Sequence, residues 1–192
     1  MKNATLPPSS YVVLGLLAVY GPMTPYDLKK SIDGSVGYFW SFPRAQLYVE
    51  PERLKELGLL TEEREPEGRR RRTYSITEEG RATLREWLVA DTYEHTEIHD
   101  PGLLKLYFAP AMTRDEVIAL AHQQEASHRQ RLAEYEAIVA QIRDLPGTAP
   151  ALATLRMGIL YETMSIEYWD DIAHNPPDGA PTSGGPLPQP LP

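Results

Sequence analysis

The chain of 192 residues carries 19 Lys+Arg against 27 Asp+Glu, a formal net charge of −8, with 42% apolar residues and no cysteine. That length gives one large domain or two small ones, each able to bury a core. The lack of cysteine excludes a disulfide framework, a thiolate zinc site, an iron–sulfur cluster and a cysteine nucleophile. The longest apolar-leaning run, Tyr11 to Met23, is shorter than the roughly 20 residues of a membrane span and is broken by Gly15, Gly21 and Pro22. Pro7, Pro8, Ser9 and Ser10 part Lys2 from the Val12–Val19 block, which argues against a secretory leader, and a cytoplasmic protein is expected.

In chain order, Pro7-Pro8-Ser9-Ser10 is expected to cap a first helix, whose Val12, Val13, Leu16, Leu17 and Tyr20 recur at helical spacing until Gly21-Pro22. Thr24-Pro25-Tyr26-Asp27 supplies an N-cap, a proline at the first helical position and an acid three residues after the cap, so a second helix spans about 25–32. Asp33 to Gly37 forms a turn, and the aromatic cluster Tyr38-Phe39-Trp40 follows. A third helix is predicted from near Pro43 to Leu57, closed by Gly58. Segments 59–65 and 70–76 have β character and flank the turn sequence Pro66-Glu67-Gly68-Arg69, a hairpin. Thr77 caps a fourth helix through Leu84, Trp87 and Leu88. Three helices, a hairpin and a helix within about 80 residues match a winged helix-turn-helix.

The second half is helical. Asp100-Pro101 opens a short helix, and Thr113-Arg114-Asp115-Glu116 is a capping box for a long one reaching toward Asp144. Its seam of Val117, Ala121, Gln124, His128, Leu132, Tyr135, Val139 and Ile142 averages near the 3.5-residue coiled-coil period. Pro146-Gly147 breaks it, and a last helix covers about 151–173. The expected domains are an N-terminal extension (1–8), the winged domain (9–90), a linker (91–99), an antiparallel helical, coiled-coil-like dimerisation domain (100–175) and a disordered Pro/Gly-rich tail (176–192). The charge divides accordingly. Residues 1–90 hold 13 Lys/Arg and 12 Asp/Glu, net +1, and residues 91–192 hold 6 and 15, net −9. An acidic protein grips phosphate backbones poorly as a whole, so nucleic acid would be met by a local basic site on the first half.

Such a site is present. Arg44, Gln46, Tyr48 and Arg53 are polar or basic groups on the third helix, interleaved with Leu47 and Leu54 for the core. Arg and Gln side chains can bond guanine and adenine edges bidentately. Arg69, Arg70, Arg71 and Arg72 stand together at the hairpin and repel one another unless an anion, or Glu62, Glu63, Glu65 and Glu67 of the facing strand, neutralises them. Pro51 lies inside the third helix, which is therefore either kinked there or regular only from a late start. On the last helix Leu152, Leu155, Ile159, Ile166 and Trp169 mark one stripe, interrupted by Glu162, and Met157, Leu160, Tyr161, Met164 and Tyr168 mark another. Two apolar faces exceed the need of one small core, so the first stripe is assigned to dimerisation. Met157, Tyr161, Met164 and Trp169 could also line a pocket for a small effector. His95 and His99 have metal-ligand spacing only if helical, and Pro101 with the polar run 91–100 points to a linker instead, so no metal and no cofactor are expected. No catalytic constellation stands out.

The blocks Val13-Leu14-Gly15-Leu16-Leu17, Gly21-Pro22-Met23-Thr24-Pro25-Tyr26-Asp27-Leu28, Gln46-Leu47-Tyr48, Arg53-Leu54-Lys55-Glu56-Leu57-Gly58-Leu59-Leu60 and Arg72-Thr73-Tyr74-Ser75-Ile76-Thr77-Glu78-Glu79-Gly80 resemble the PadR family of bacterial transcriptional regulators. Leu103-Leu104-Lys105-Leu106-Tyr107-Phe108 and Thr154-Leu155-Arg156-Met157-Gly158-Ile159 are similar to its C-terminal helical domain. The resemblance implies a homodimeric repressor that binds double-stranded operator DNA through the third helix and wing, with Arg44, Gln46, Tyr48 and Arg69–Arg72 facing the DNA. Some members respond to phenolic acids or other small aromatic or hydrophobic molecules. Two-fold symmetry then requires an inverted-repeat operator. Two other readings remain open: a winged protein-interaction module whose arginines pair internally and which binds no DNA, and a helical ligand-binding or enzymatic second half.

Overall fold

The computed structural model describes residues 6–40, 46–64, 71–91 and 97–177, and the chain divides into two compact units, residues 1–94 and 95–192. The first unit contains α1 (Pro8–Tyr20), α2 (Pro25–Asp33), a 3-10 turn at Val36–Tyr38, α3 (Gln46–Glu56), β1 (Leu60–Arg64), β2 (Arg72–Ile76) and α4 (Glu78–Val89). Local hydrogen bonding sets most boundaries. Thr24 and Asp27 form a reciprocal capping box at α2, and the Thr77 hydroxyl accepts from the Gly80 amide at α4. Gly58, at φ +75°, takes the left-handed conformation that ends α3. The start of α1 differs from the sequence-based expectation. Pro8 stands at the first helical position, no side chain caps the helix, and Ser9 and Ser10 lie buried inside its first turn.

One apolar cluster holds this unit, with Val13, Leu14 and Leu17 of α1 meeting Leu28 and Ile32 of α2, Leu54 of α3, Leu60 and Tyr74 of the hairpin and Leu84 of α4. The strands pair antiparallel from Leu60 opposite Ile76 to Arg64 opposite Arg72. Met23, between α1 and α2, exchanges backbone hydrogen bonds of 3.1 and 2.9 Å with Tyr74, so β2 is bonded on both edges there. Pro51 does not delay α3, which runs helically from Gln46 through the buried proline ring to Glu56. At Gly80 an added Cβ would sit 2.3 Å from the Leu59 carbonyl oxygen and 2.9 Å from Ile76 Cγ1. Gly80→Ala is therefore expected to destabilise the first unit by about 1–3 kcal/mol, read from the urea midpoint, with unchanged stability as the contrary result.

The second unit contains α5 (Pro101–Tyr107), a 3-10 turn at Ala109–Ala111, α6 (Arg114–Ile142) and α7 (Ala149–His174). Asp100 caps α5, and Thr113 with Glu116 closes the capping box at α6. A tight turn with Gly147 at φ +78° reverses the chain, so α6 and α7 pair antiparallel. Leu120 and Ala121 pack on Trp169 and Ala173, and Gly158 admits the Tyr135 ring to the α7 backbone, where a Cβ would lie 2.8 Å from it. Every member of the sequence-assigned α6 seam is buried or half-buried. Among the described residues no helix is long and apolar enough to cross a membrane. The hairpin turn 66–69 and the tail beyond residue 177 lie outside the described residues.

Candidate nucleic-acid interface

One side of α3 is fixed in the core by Leu54, Pro51 and Glu50. Glu50 is a buried carboxylate, and two groups answer its charge. The Ser10 hydroxyl donates to it at 2.5 Å, and the Arg53 guanidinium donates at 2.7 and 3.1 Å while also reaching the Ser10 oxygen at 2.7 Å. Burial pushes the Glu50 carboxyl up, but Arg53 and Ser10 outweigh that and hold it below its ordinary value. Arg53, assigned from sequence to the DNA-facing set and with its side chain 37% exposed, also serves as this carboxylate's internal partner, because an unpaired carboxylate at this depth would cost several kcal/mol.

The opposite side of α3 is open. Gln46 is exposed and Tyr48 is 62% exposed, both in the first described turn. Beside it stands the hairpin, with Arg71 exposed and Arg72 half-exposed at the start of β2. Arg44, Arg69 and Arg70 lie outside the described residues, as does the Leu47 side chain.

Between α3 and the hairpin lies a charge network. Glu62 accepts from Lys55 at 2.7 Å and from Arg64 at 2.5 Å. Arg72 approaches Glu62 to 3.6 Å and Glu52 to 3.8 Å, Lys55 also pairs with Glu52, and the Tyr74 hydroxyl donates to Glu52 at 3.0 Å. Arg64 and Lys55 together lower the Glu62 carboxyl to about 2. Sequence reading missed Glu52, Lys55 and Tyr74. Their available signal was the three-residue helical spacing of Glu52 and Lys55 and the register that puts Tyr74 opposite Glu62.

The sign of the resulting pH dependence follows. An unfolded Glu titrates near 4.5 and the folded Glu62 near 2, so its contribution is complete above about 4.5 and disappears as pH falls toward 2. Urea unfolding at descending pH should show wild-type stability dropping more steeply across that window than stability of Glu62→Gln. Parallel curves would show that the hairpin gains nothing from this carboxylate.

In the second unit the α7 stripe assigned from sequence to dimerisation is the one that faces inward. Ile166 is buried and Trp169 is 1% exposed, both within their own chain, and Leu152, Leu155 and Ile159 are half-buried beside them. The dimerisation assignment of Ile166 and Trp169 is therefore corrected, since packing within the protomer already covers them. Met157, Leu160, Met164 and Tyr168 are the exposed stripe, at 41–68%, and Leu104 and Tyr107 of α5, with Phe108 just after it, are exposed as well. Trp169 cannot share a pocket with Met157 and Met164 in one protomer, because it points inward while they point outward; Tyr161 is half-buried between the two faces. His95 lies outside the described residues, His99 is exposed 3.8 Å from Glu97, and among the described residues no cluster of His, Asp and Glu is arranged to hold a metal ion.

The sequence model of the PadR-like transcriptional regulator family matches residues 13–86, and that of the virulence activator alpha C-terminal family matches residues 98–175. The negative transcriptional regulator PadR of Bacillus subtilis (strain 168) is 27% identical over 146 residues, covering 73% of this chain and 80% of that protein. The crystal structure of Bacillus subtilis PadR in complex with operator DNA matches with a TM-score of 0.80 at 22% identity, over 88% of this chain and 99% of that one. The structure of the same protein in complex with p-coumaric acid matches at 0.73 and 22%, over 89% and 98%. Helix order, the paired strands and the two sequence matches agree: residues 13–86 match the PadR-like transcriptional regulator family and residues 98–175 the virulence activator alpha C-terminal family.

Proposed function

We propose that the protein is a homodimeric transcriptional repressor whose subunits each present α3 to a major groove and the arginine wing to phosphates of an inverted-repeat operator. The observation that carries this is the open first described turn of α3, with Gln46 and Tyr48 exposed on a helix whose other side is locked in the core, and whose Glu52 lies 3.8 Å from Arg72 at the start of β2. A rigid helix with free N-terminal side chains reads base edges, and flanking cations hold the backbone. Arg44, Arg69 and Arg70, which lie outside the described residues, are assigned to the same DNA contact from the sequence. The winged domain (9–90) supplies the DNA contact and the helical domain (100–175) the dimer, joined by the linker 91–99. The role is binding rather than turnover.

The outer stripe of α7 is the surface offered for dimerisation. Release by a small aromatic or hydrophobic effector is part of the same proposal, supported by the relative bound to p-coumaric acid and by the adaptable Met157 and Met164 beside Tyr161. An effector would act by favouring a dimer whose α3 helices no longer match the half-site spacing.

Selection of bound fragments from a random DNA pool by the purified protein tests the reading. It should return inverted repeats with half-sites about one or two helical turns apart, and recovery of no enriched sequence would overturn it. Arg70→Ala with Arg71→Ala should then weaken binding to every sequence alike and flatten the salt dependence, each lost phosphate contact removing about 0.9 from the slope. Unchanged titrations would remove the wing from the interface.

A further inference from the structure

Three cations at the junction of α3 and the hairpin converge on one carboxylate. Lys55 and Arg64 bond Glu62 directly, and Arg72 stands 3.6 Å away. The Glu62 side chain is 6% exposed, whereas those of Arg64 and Arg72 are more than half exposed. The carboxylate is thus enclosed by the cations themselves. Glu52, one helical turn after Tyr48 on the same face of α3, takes Lys55 from the other side and approaches Arg72. The network therefore lies alongside the surface proposed to read DNA.

Phosphate contacts from free cations release counterions and raise affinity for every sequence equally, while discrimination comes from base edges and DNA shape. A cation already paired with a fixed carboxylate gains less from a phosphate, because binding must break or share the internal pair. We propose that Glu62, assisted by Glu52, is a specificity-determining residue that holds Lys55, Arg64 and Arg72 in internal ion pairs and so limits the sequence-blind grip of this face on DNA. The proposal rests on the DNA-binding reading above. It explains why so many cations and carboxylates stand together beside an otherwise open reading surface. It also gives the internal pairing of wing arginines a role within DNA recognition instead of against it.

The test compares full-length wild type with Glu62→Gln by anisotropy titration between about 50 and 200 mM salt. The probes are a duplex selected by the wild type from a random pool and a scrambled duplex of the same composition. With Glu62→Gln, affinity for the scrambled duplex should rise about tenfold and its salt slope should steepen by about 1–2 per subunit, at roughly 0.9 per added phosphate contact. The ratio of selected to scrambled affinity should fall correspondingly, and Glu62→Asp, which keeps the charge, should restore it. Circular dichroism monitors folding. If Glu62→Gln does not fold, Glu52→Gln, which leaves the central carboxylate in place, should move slope and ratio in the same direction by less. Wild-type binding with an unaltered slope and ratio in the folded variant overturns the proposal alone. Absence of salt-dependent binding by the wild type overturns the DNA-binding reading and the proposal with it.

Discussion

Leu160→Glu combined with Met164→Glu is expected to convert the proposed dimer to monomers while each protomer stays folded. Both side chains are more than half exposed on the outer stripe of α7, between Met157 and Tyr168, so carboxylates there cost the isolated protomer little. In a two-fold dimer each change occurs twice on one self-complementary surface, and each buried apolar anchor lost typically costs 2 kcal/mol or more. The dimer dissociation constant should rise by at least about 1,000-fold, seen as a halved mass by light scattering with helical circular dichroism retained. Operator affinity should fall by at least about 100-fold, because two half-sites are no longer bound through one linked assembly. A doubly substituted protein that remained dimeric would move the interface off this stripe.

The elements themselves were legible in the sequence because their signals are local. Thr24 with Asp27, Thr113 with Glu116, Asp100 before Pro101 and Gly58 after Leu57 act within three or four residues of themselves, and each marks an observed helix end. The orientation of α7 was not legible from its own periodicity, which reveals two apolar stripes without saying which one faces inward. The deciding residue is Glu162, which reads as an interruption of the Leu155–Ile166 stripe. In the structure it lies in the α6–α7 seam, and His128 Nδ1 approaches it to 2.5 Å. His128 itself belongs to the α6 seam, so setting the two seams against each other before assigning stripes would have marked this face as internal.

The site was half legible for the same reason. Gln46 and Tyr48 show as polar breaks in an apolar pattern and are exposed as that pattern implies. Arg53 and Ser10 carry sequence signals of a DNA contact and a helix cap, yet both serve Glu50, across 43 residues in the case of Arg53 and Ser10. A local reading assigns a polar residue its nearest plausible role. A tertiary partner overrides that role when a buried charge needs satisfying.

Trp169→Ala separates the corrected reading of α7 from the sequence-based one. Trp169 is among the largest fully buried side chains and packs with Leu120, Ala121 and Ala173 inside one protomer. Truncation should therefore cost about 3–5 kcal/mol from lost transfer energy and the cavity left between α6 and α7. Dimerisation complicates such a measurement, since any loss of folded protomer also weakens the dimer. The comparison is cleaner in the Leu160→Glu, Met164→Glu background. A core tryptophan loses the same stability with or without the partner, because its contacts are internal and the sites act independently. An interface tryptophan would lose most of its effect once the partner has gone. Urea unfolding of the single and triple variants at fixed protein concentration reads the difference, and a Trp169→Ala cost that vanished in the monomer would return Trp169 to the interface.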